Sequence, residues 1–176
     1  MTNAPKFLLA HHLKTLELPT FLREYQKLAR HCATEGQDHV RFVARVVELE
    51  LIDRERRMVE RCIKAAKFPV TKSLDCFDFT AIPKLNTMLV LELVRGEWNE
   101  RRENVIALGP SDTGKTHVAL GRGLAACQKG LAVGFTTAAA LVHELMEARD
   151  EWRLLRLQTQ MVGYKLLIID ELGSCP

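Results

Sequence analysis

GPSDTGKTH, Gly109 to His117, carries the first chemical signal. It fits G-x-x-x-x-G-K-[ST], in which a glycine-rich turn points successive backbone N–H groups into one concavity suited to phosphate. Where such a turn joins a buried strand to a helix, the helix's unsatisfied N–H groups and positive dipole end add to the attraction. In this pattern the Lys115 ammonium reaches the β- and γ-phosphates of a nucleotide, and the Thr116 hydroxyl ligates Mg²⁺. Gly109 and Gly114 permit the turn and the close backbone approach; Pro110, Ser111, Asp112 and Thr113 complete the cradle. With glycine near 7% of residues, the four fixed positions coincide by chance in such a chain with a probability of roughly 1% or less.

The second signal is LLIIDE, Leu166 to Glu171. A strand that buries its aliphatic residues and delivers a carboxylate at its C-terminal tip puts that acid where ligands sit in open α/β sheets. Asp170 would hold Mg²⁺ through water, and Glu171 would orient and deprotonate an attacking water. Many strands end in acids, so this motif gains its force from the phosphate loop about fifty residues upstream. Glu171 also favours hydrolysis over kinase-like transfer.

Positioning these groups requires particular elements. Val105 to Leu108 is a short apolar run ending at a glycine, which predicts a buried parallel strand. A helix is expected from about Lys115 to Cys127, a strand from Leu131 to Phe135, and a helix capped by Thr137 and running through Glu147. A second helical stretch surrounds Trp152, and Tyr164 to Asp170 forms another strand. Alternating strands and helices imply an α/β fold, a parallel sheet with helices on both faces.

The first half reads as helix. Pro19 starts one, with Leu22, Tyr25, Leu28 and Cys32 at helical spacing. A longer one runs from about Asp38 to Ala66, with Phe42, Val46, Leu49, Ile52, Val59 and Ile63 on one stripe, and stops before Phe68-Pro69. KFPVTKSLDCFDFTAIPK reads as an irregular join, after which Pro83 opens a short helix. The expected organisation is a helical domain over 1–68, a linker and helix over 69–100, and a phosphate-loop domain over 101–176.

Bulk properties are those of a globular protein: 176 residues, 47% hydrophobic, 27% charged, formal charge +3. That charge permits a nucleic-acid partner without arguing for one. The five cysteines form no C-x-x-C pair, which opposes a disulfide framework and a zinc site. The N-terminus lacks the order of a signal peptide and no apolar run approaches membrane-spanning length, so a cytoplasmic protein without a membrane partner is expected.

RRENVIALGP, TGKTHVAL, GLAACQKGLAVGFTTAAALVHELMEARDE and LLIIDELG together closely resemble the IstB-like ATP-binding proteins. These are ATPase helpers of an insertion-sequence transposase, related to the helicase loader DnaC and the initiator DnaA. The resemblance extends through LPTFLREYQKLAR and FPVTKSLDCFDFTAIPKLN, essentially the whole chain. It implies an AAA-plus ATPase module preceded by a small helical domain, whose members bind DNA, assemble on it with ATP as homo-oligomers, and help a transposase act at its target. On this resemblance Gly109, Gly114, Lys115 and Thr116 belong to Walker A, Asp170 and Glu171 to Walker B, and the join carrying Phe79 and Ile82 runs near the adenine.

The chain departs from the family twice. Asp112 stands where the family has glycine, which implies a positive φ that Asp tolerates less well than Gly. A carboxylate at about 6 Å from a phosphate charge is repelled by about 2–3 kcal/mol at an effective dielectric near 20, most of it screened when the side chain points into water. The family also continues well past Gly173, into a γ-phosphate sensor, an arginine finger and a strand lying between the Walker A and Walker B strands. The expectation is a truncated copy with a gap in its sheet and little or no ATP turnover.

Other features have plain readings. Arg41, Arg45, Arg54, Arg56, Arg57, Arg61 and Lys64 could contact DNA, but acids are interleaved with them as on a solvated face. His117 reads as a helix-surface or packing residue, Trp98 and Trp152 as partial packing residues. Three functions compete: an ATP-dependent, DNA-associated transposition helper; a non-catalytic fragment that binds DNA or a transposase; and a phosphotransferase, disfavoured by Asp170-Glu171.

Overall fold

A computed structural model of the chain describes residues 4–82, 85–96 and 103–172. It divides into two compact units, with the boundary after Met58. The first unit holds α1 (Ala4–Thr15), α2 (Pro19–Thr34) and most of α3 (His39–Ala66). Pro19 occupies the first turn of α2, where its fixed φ suits the helix and its missing N–H leaves no intrahelical bond unmade. Leu13, Cys32 and Val46 are buried. Ile52, expected on the same stripe of α3, is instead 56% exposed. Six residues separate it from Val46, which turns it about 120° around the helix.

The buried face of α3 carries charge. Leu18, at the N-cap of α2, offers no side-chain hydrogen bond; α3 supplies the acceptors. The Phe21 N–H donates to Glu50 Oε2 at 2.8 Å, and the Thr20 hydroxyl donates to Asp53 Oδ2 at 2.5 Å. Glu50 is buried and also accepts from Arg57 Nη2 at 2.8 Å. The Thr20 hydroxyl first, and Arg56 next, hold the Asp53 carboxyl down at about 2, below its ordinary 3.8. Arg56 and Arg57 are thus engaged by acids of their own helix, as a mixed-charge face implies.

The second unit begins with the last turns of α3. A join follows with two short 3-10 turns, Leu74–Cys76 and Phe79–Ala81. Each is capped from within: Ser73 Oγ accepts from the Asp75 N–H at 3.2 Å and Asp78 Oδ1 from the Thr80 N–H at 2.9 Å. Helix α4 (Thr87–Arg95) starts at Thr87 rather than at Pro83, because Asn86 Oδ1 caps the Leu89 N–H at 3.1 Å. It stops at Gly96, in the left-handed conformation favoured after a last turn. Pro83 and Trp98 lie outside the described residues.

Then come α5 (Lys115–Gln128), β1 (Val133–Thr137), α6 (Ala138–Asp150), α7 (Leu154–Gly163) and β2 (Leu166–Asp170). The Thr137 Oγ1 caps α6 by accepting from the Ala140 N–H at 3.2 Å. Trp152 lies in the turn before α7, at φ +57 and 95% exposed, so it is not a packing residue. β1 and β2 pair in parallel from Val133↔Leu166 to Thr137↔Asp170, joined by the crossover that parallel strands require. Ala66, Ala126, Cys127, Val133, Leu166 and Ile168 form the core, with Phe68 and Phe135 packed against it. Burial foremost, and then nearby Cys62, push the Cys127 thiol up to about 11.

One expected strand is absent. Residues 103–109 have no regular structure, and Leu108 is 88% exposed. Among the described residues the sheet has two strands, and neither pairs with this run. An apolar run becomes a strand only where a ladder partner takes up its N–H and C=O groups. The observed architecture is therefore mostly helical with a small parallel sheet. No described helix is long and apolar enough to cross a membrane, and the described cysteines are free thiols.

Candidate functional site

Two segments distant in sequence meet at the C-terminal edge of β2. The Thr116 hydroxyl, in the first turn of α5, donates to the Asp170 carboxylate, 3.0 Å from Oδ2 and 3.2 Å from Oδ1. Glu171 follows at φ +61 and is exposed.

Residues 109–114 make the turn that leads into α5. Gly109 lies at φ +154 and Gly114 at φ +78, and Asp112 adopts φ +58 with its side chain exposed. The left-handed position expected of Asp112 is thus where the chain puts it. Thr113 Oγ1 donates to the Pro110 carbonyl at 2.9 Å. Lys115 Nζ donates to the same carbonyl and lies 3.3 Å from Thr113 Oγ1. The ammonium is folded back on its own loop.

Gly114 is the N-cap of α5 and no side chain among the described residues caps the helix, which leaves its terminus suited to an anion. Pro110 and Ser111 are exposed at the turn. The loop therefore sets one ammonium beside a helix start that has no side chain at its N-cap.

Among the described residues no group of three or more His, Cys, Asp and Glu could hold a metal unaided. Thr116 and Asp170 nevertheless set hard oxygen donors side by side. That set fits Mg²⁺, which completes its shell with water and phosphate.

His117 lies half-buried behind the loop, its Nε2 2.9 Å from the Ser73 carbonyl and its ring edge-on to Phe77. It is a packing residue, as its sequence position implies. Ile82 approaches Gly114, 3.7 Å from where a β-carbon would stand, so the join passes beside the turn. Phe77 is nearer still, and sequence reasoning passed it over. The signal was available in the glycines of the loop helix, which open space for side chains from elsewhere.

The family of IstB-like ATP binding proteins matches residues 11–176. A putative ATP-binding protein of insertion sequence IS5376 from Geobacillus stearothermophilus is 34% identical over 158 residues, 90% of this chain and 63% of that protein. Its counterpart in IS21 from Pseudomonas aeruginosa is 34% identical over 164 residues, 93% of this chain and 62% of that protein. The IS232 protein of Bacillus thuringiensis subsp. berliner is 38% identical over 138 residues, 77% of this chain and 55% of that protein. The chain thus spans about six-tenths of the length of these curated relatives. By sequence, and with a phosphate loop whose threonine meets the acid of the second motif, the chain belongs to the IstB-like ATP-binding protein family.

Proposed function

We propose that this chain binds ATP through residues 109–116, as the nucleotide-binding part of an insertion-sequence transposition helper. The observation that carries the reading is the 3.0 Å hydrogen bond from Thr116 to Asp170, which unites two motifs 54 residues apart. In this reading the Lys115 ammonium leaves the Pro110 carbonyl for the β- and γ-phosphates, and the N–H groups of the turn and the first turn of α5 hold the remaining oxygens. Thr116 and Asp170 would hold Mg²⁺, which when bound offsets phosphate charge. Glu171 takes the role of base toward an attacking water. The two-stranded sheet is read as part of an AAA-plus sheet.

DNA, a transposase and further copies of the chain are the proposed partners, on the strength of the insertion sequences to which the relatives belong. The exposed run Val105–Leu108, at the entry to the loop, favours a second reading: a non-catalytic element that binds DNA or a transposase. DNA binding that survives Lys115→Ala and needs no ATP would select it.

The test is titration with a fluorescent ATP analogue and Mg²⁺. Saturable binding by the unmodified chain is expected, at least about tenfold weaker in Lys115→Ala and severalfold tighter in Asp112→Gly. Binding by the glycine variant alone would make Asp112 a block to nucleotide. Binding by neither the unmodified chain nor Asp112→Gly would end the ATP reading.

A further inference from the structure

Helix α5 carries glycines in its body and one at its N-cap, and three of them receive a side chain from residues 68–77. A methyl group on Gly123 would stand 2.8 Å from Phe68 Cζ, one on Gly121 2.5 Å from Leu74 Cγ, and one on Gly114 2.7 Å from Phe77 Cε2. The segment that leaves α3 therefore lies along α5 from the core to the phosphate loop. At the loop end the contacts multiply. Phe77 packs edge-on to His117 with ring centroids 5.1 Å apart and edge-on to Phe79 at 4.8 Å. His117 ties the same segment back at the Ser73 carbonyl, and because a carbonyl only accepts, Nε2 carries the hydrogen.

Gly114 has φ +78, is the N-cap of α5, and accepts at its carbonyl from the Val118 N–H at 3.0 Å. A ring packed on that residue bears on the backbone whose N–H groups face the anion. We propose that residues 68–82 form a strap on the loop helix and that Phe77, backed by His117, is a positioning residue holding the phosphate loop in its binding shape. The proposal rests on the reading of the loop as a nucleotide site. It differs from base stacking, because a ring that shapes the loop acts on any polyphosphate, with or without a base.

The test uses the full chain and its Phe77→Ala and Phe77→Leu variants. Amide hydrogen exchange is measured without nucleotide, then affinity for a fluorescent ATP analogue and for inorganic tripolyphosphate as its competitor. Phe77→Ala is expected to speed exchange over residues 110–118 about tenfold and leave β1 and β2 unchanged. It should weaken both ligands by the same factor, about tenfold, since small misplacements of a site are expensive. Phe77→Leu should recover most of each loss.

Unchanged exchange over 110–118 would overturn the proposal. So would a loss confined to the ATP analogue, which would make Phe77 a surface for the base. If Phe77→Ala speeds exchange throughout the unit, Phe77→Leu decides: a smaller rise confined to 110–118 supports the strap, and a rise spread through the unit refutes it. If the unmodified chain binds neither ligand, the ATP reading falls, while the exchange pattern still decides on the strap.

Discussion

Helices α2 and α5 both start without a side-chain cap from their own N-cap residue, Leu18 in one and Gly114 in the other. At α2 the deficit is met internally: Glu50 takes the Phe21 N–H and is held in turn by Arg57. At α5 no side chain among the described residues does this. The first terminus has a built-in anion; in the proposed function the second takes one from outside. A distant acid can thus stand in for a missing N-cap side chain, whereas a helix start without one keeps the free N–H groups that suit an anion.

The comparison can be broken at either end. The largest effect is expected from Glu50→Ala, which removes the acceptor of the half-buried Phe21 N–H and one of the partners of Arg57; two hydrogen bonds to a buried charge are lost, and the first unit should be destabilised by about 2–4 kcal/mol in urea unfolding. A loss below about 1 kcal/mol would mean that α2 does not depend on its borrowed cap. Next comes Gly123→Ala. With no cap, α5 relies on packing, and the new methyl would meet Phe68 and Ile168 at 2.8 Å; a loss of about 1–3 kcal/mol is expected, read from the shift in urea midpoint.

The Asp53 prediction sharpens the same contrast. Its folded value of about 2 lies below the ordinary 3.8. Its stabilisation is therefore complete above pH 3.8 and disappears as the pH falls toward 2. Urea midpoints measured down this range should drop more steeply for the unmodified chain than for Asp53→Asn. Equal slopes would remove Asp53 from the account. The smallest effect is expected at Leu108→Ser, within about 0.5 kcal/mol, because an exposed side chain has little burial to lose. A larger loss would show that the run is covered in solution.

What the sequence conveyed was governed by range. The Thr137 cap, the Pro19 start and the left-handed Asp112 depend on a few neighbouring residues, and each was legible. The turn at 109–114 and the helix start at Lys115 were legible for the same reason, being adjacent in sequence. Val105–Leu108 misled because its composition suits a strand, whereas a strand exists only through a partner elsewhere in the chain. Ile52 misled more simply, by a stripe drawn too wide around α3. Phe77 escaped notice because its significance lies in Gly114, far along the chain and without a side chain to advertise the contact. The Thr116–Asp170 bond was legible only as two motifs; their meeting required the parallel pairing of β1 with β2.

That bond also sets an order of events during synthesis. Thr116 leaves the ribosome 54 residues before Asp170, an interval of about 3–11 s at the usual 5–20 residues per second. β1 waits too, since its pairing partner β2 ends at Asp170. For those seconds the nascent chain carries a phosphate loop without its acid. The Thr116–Asp170 contact is thus made only once β2 has emerged, well after the loop and α5.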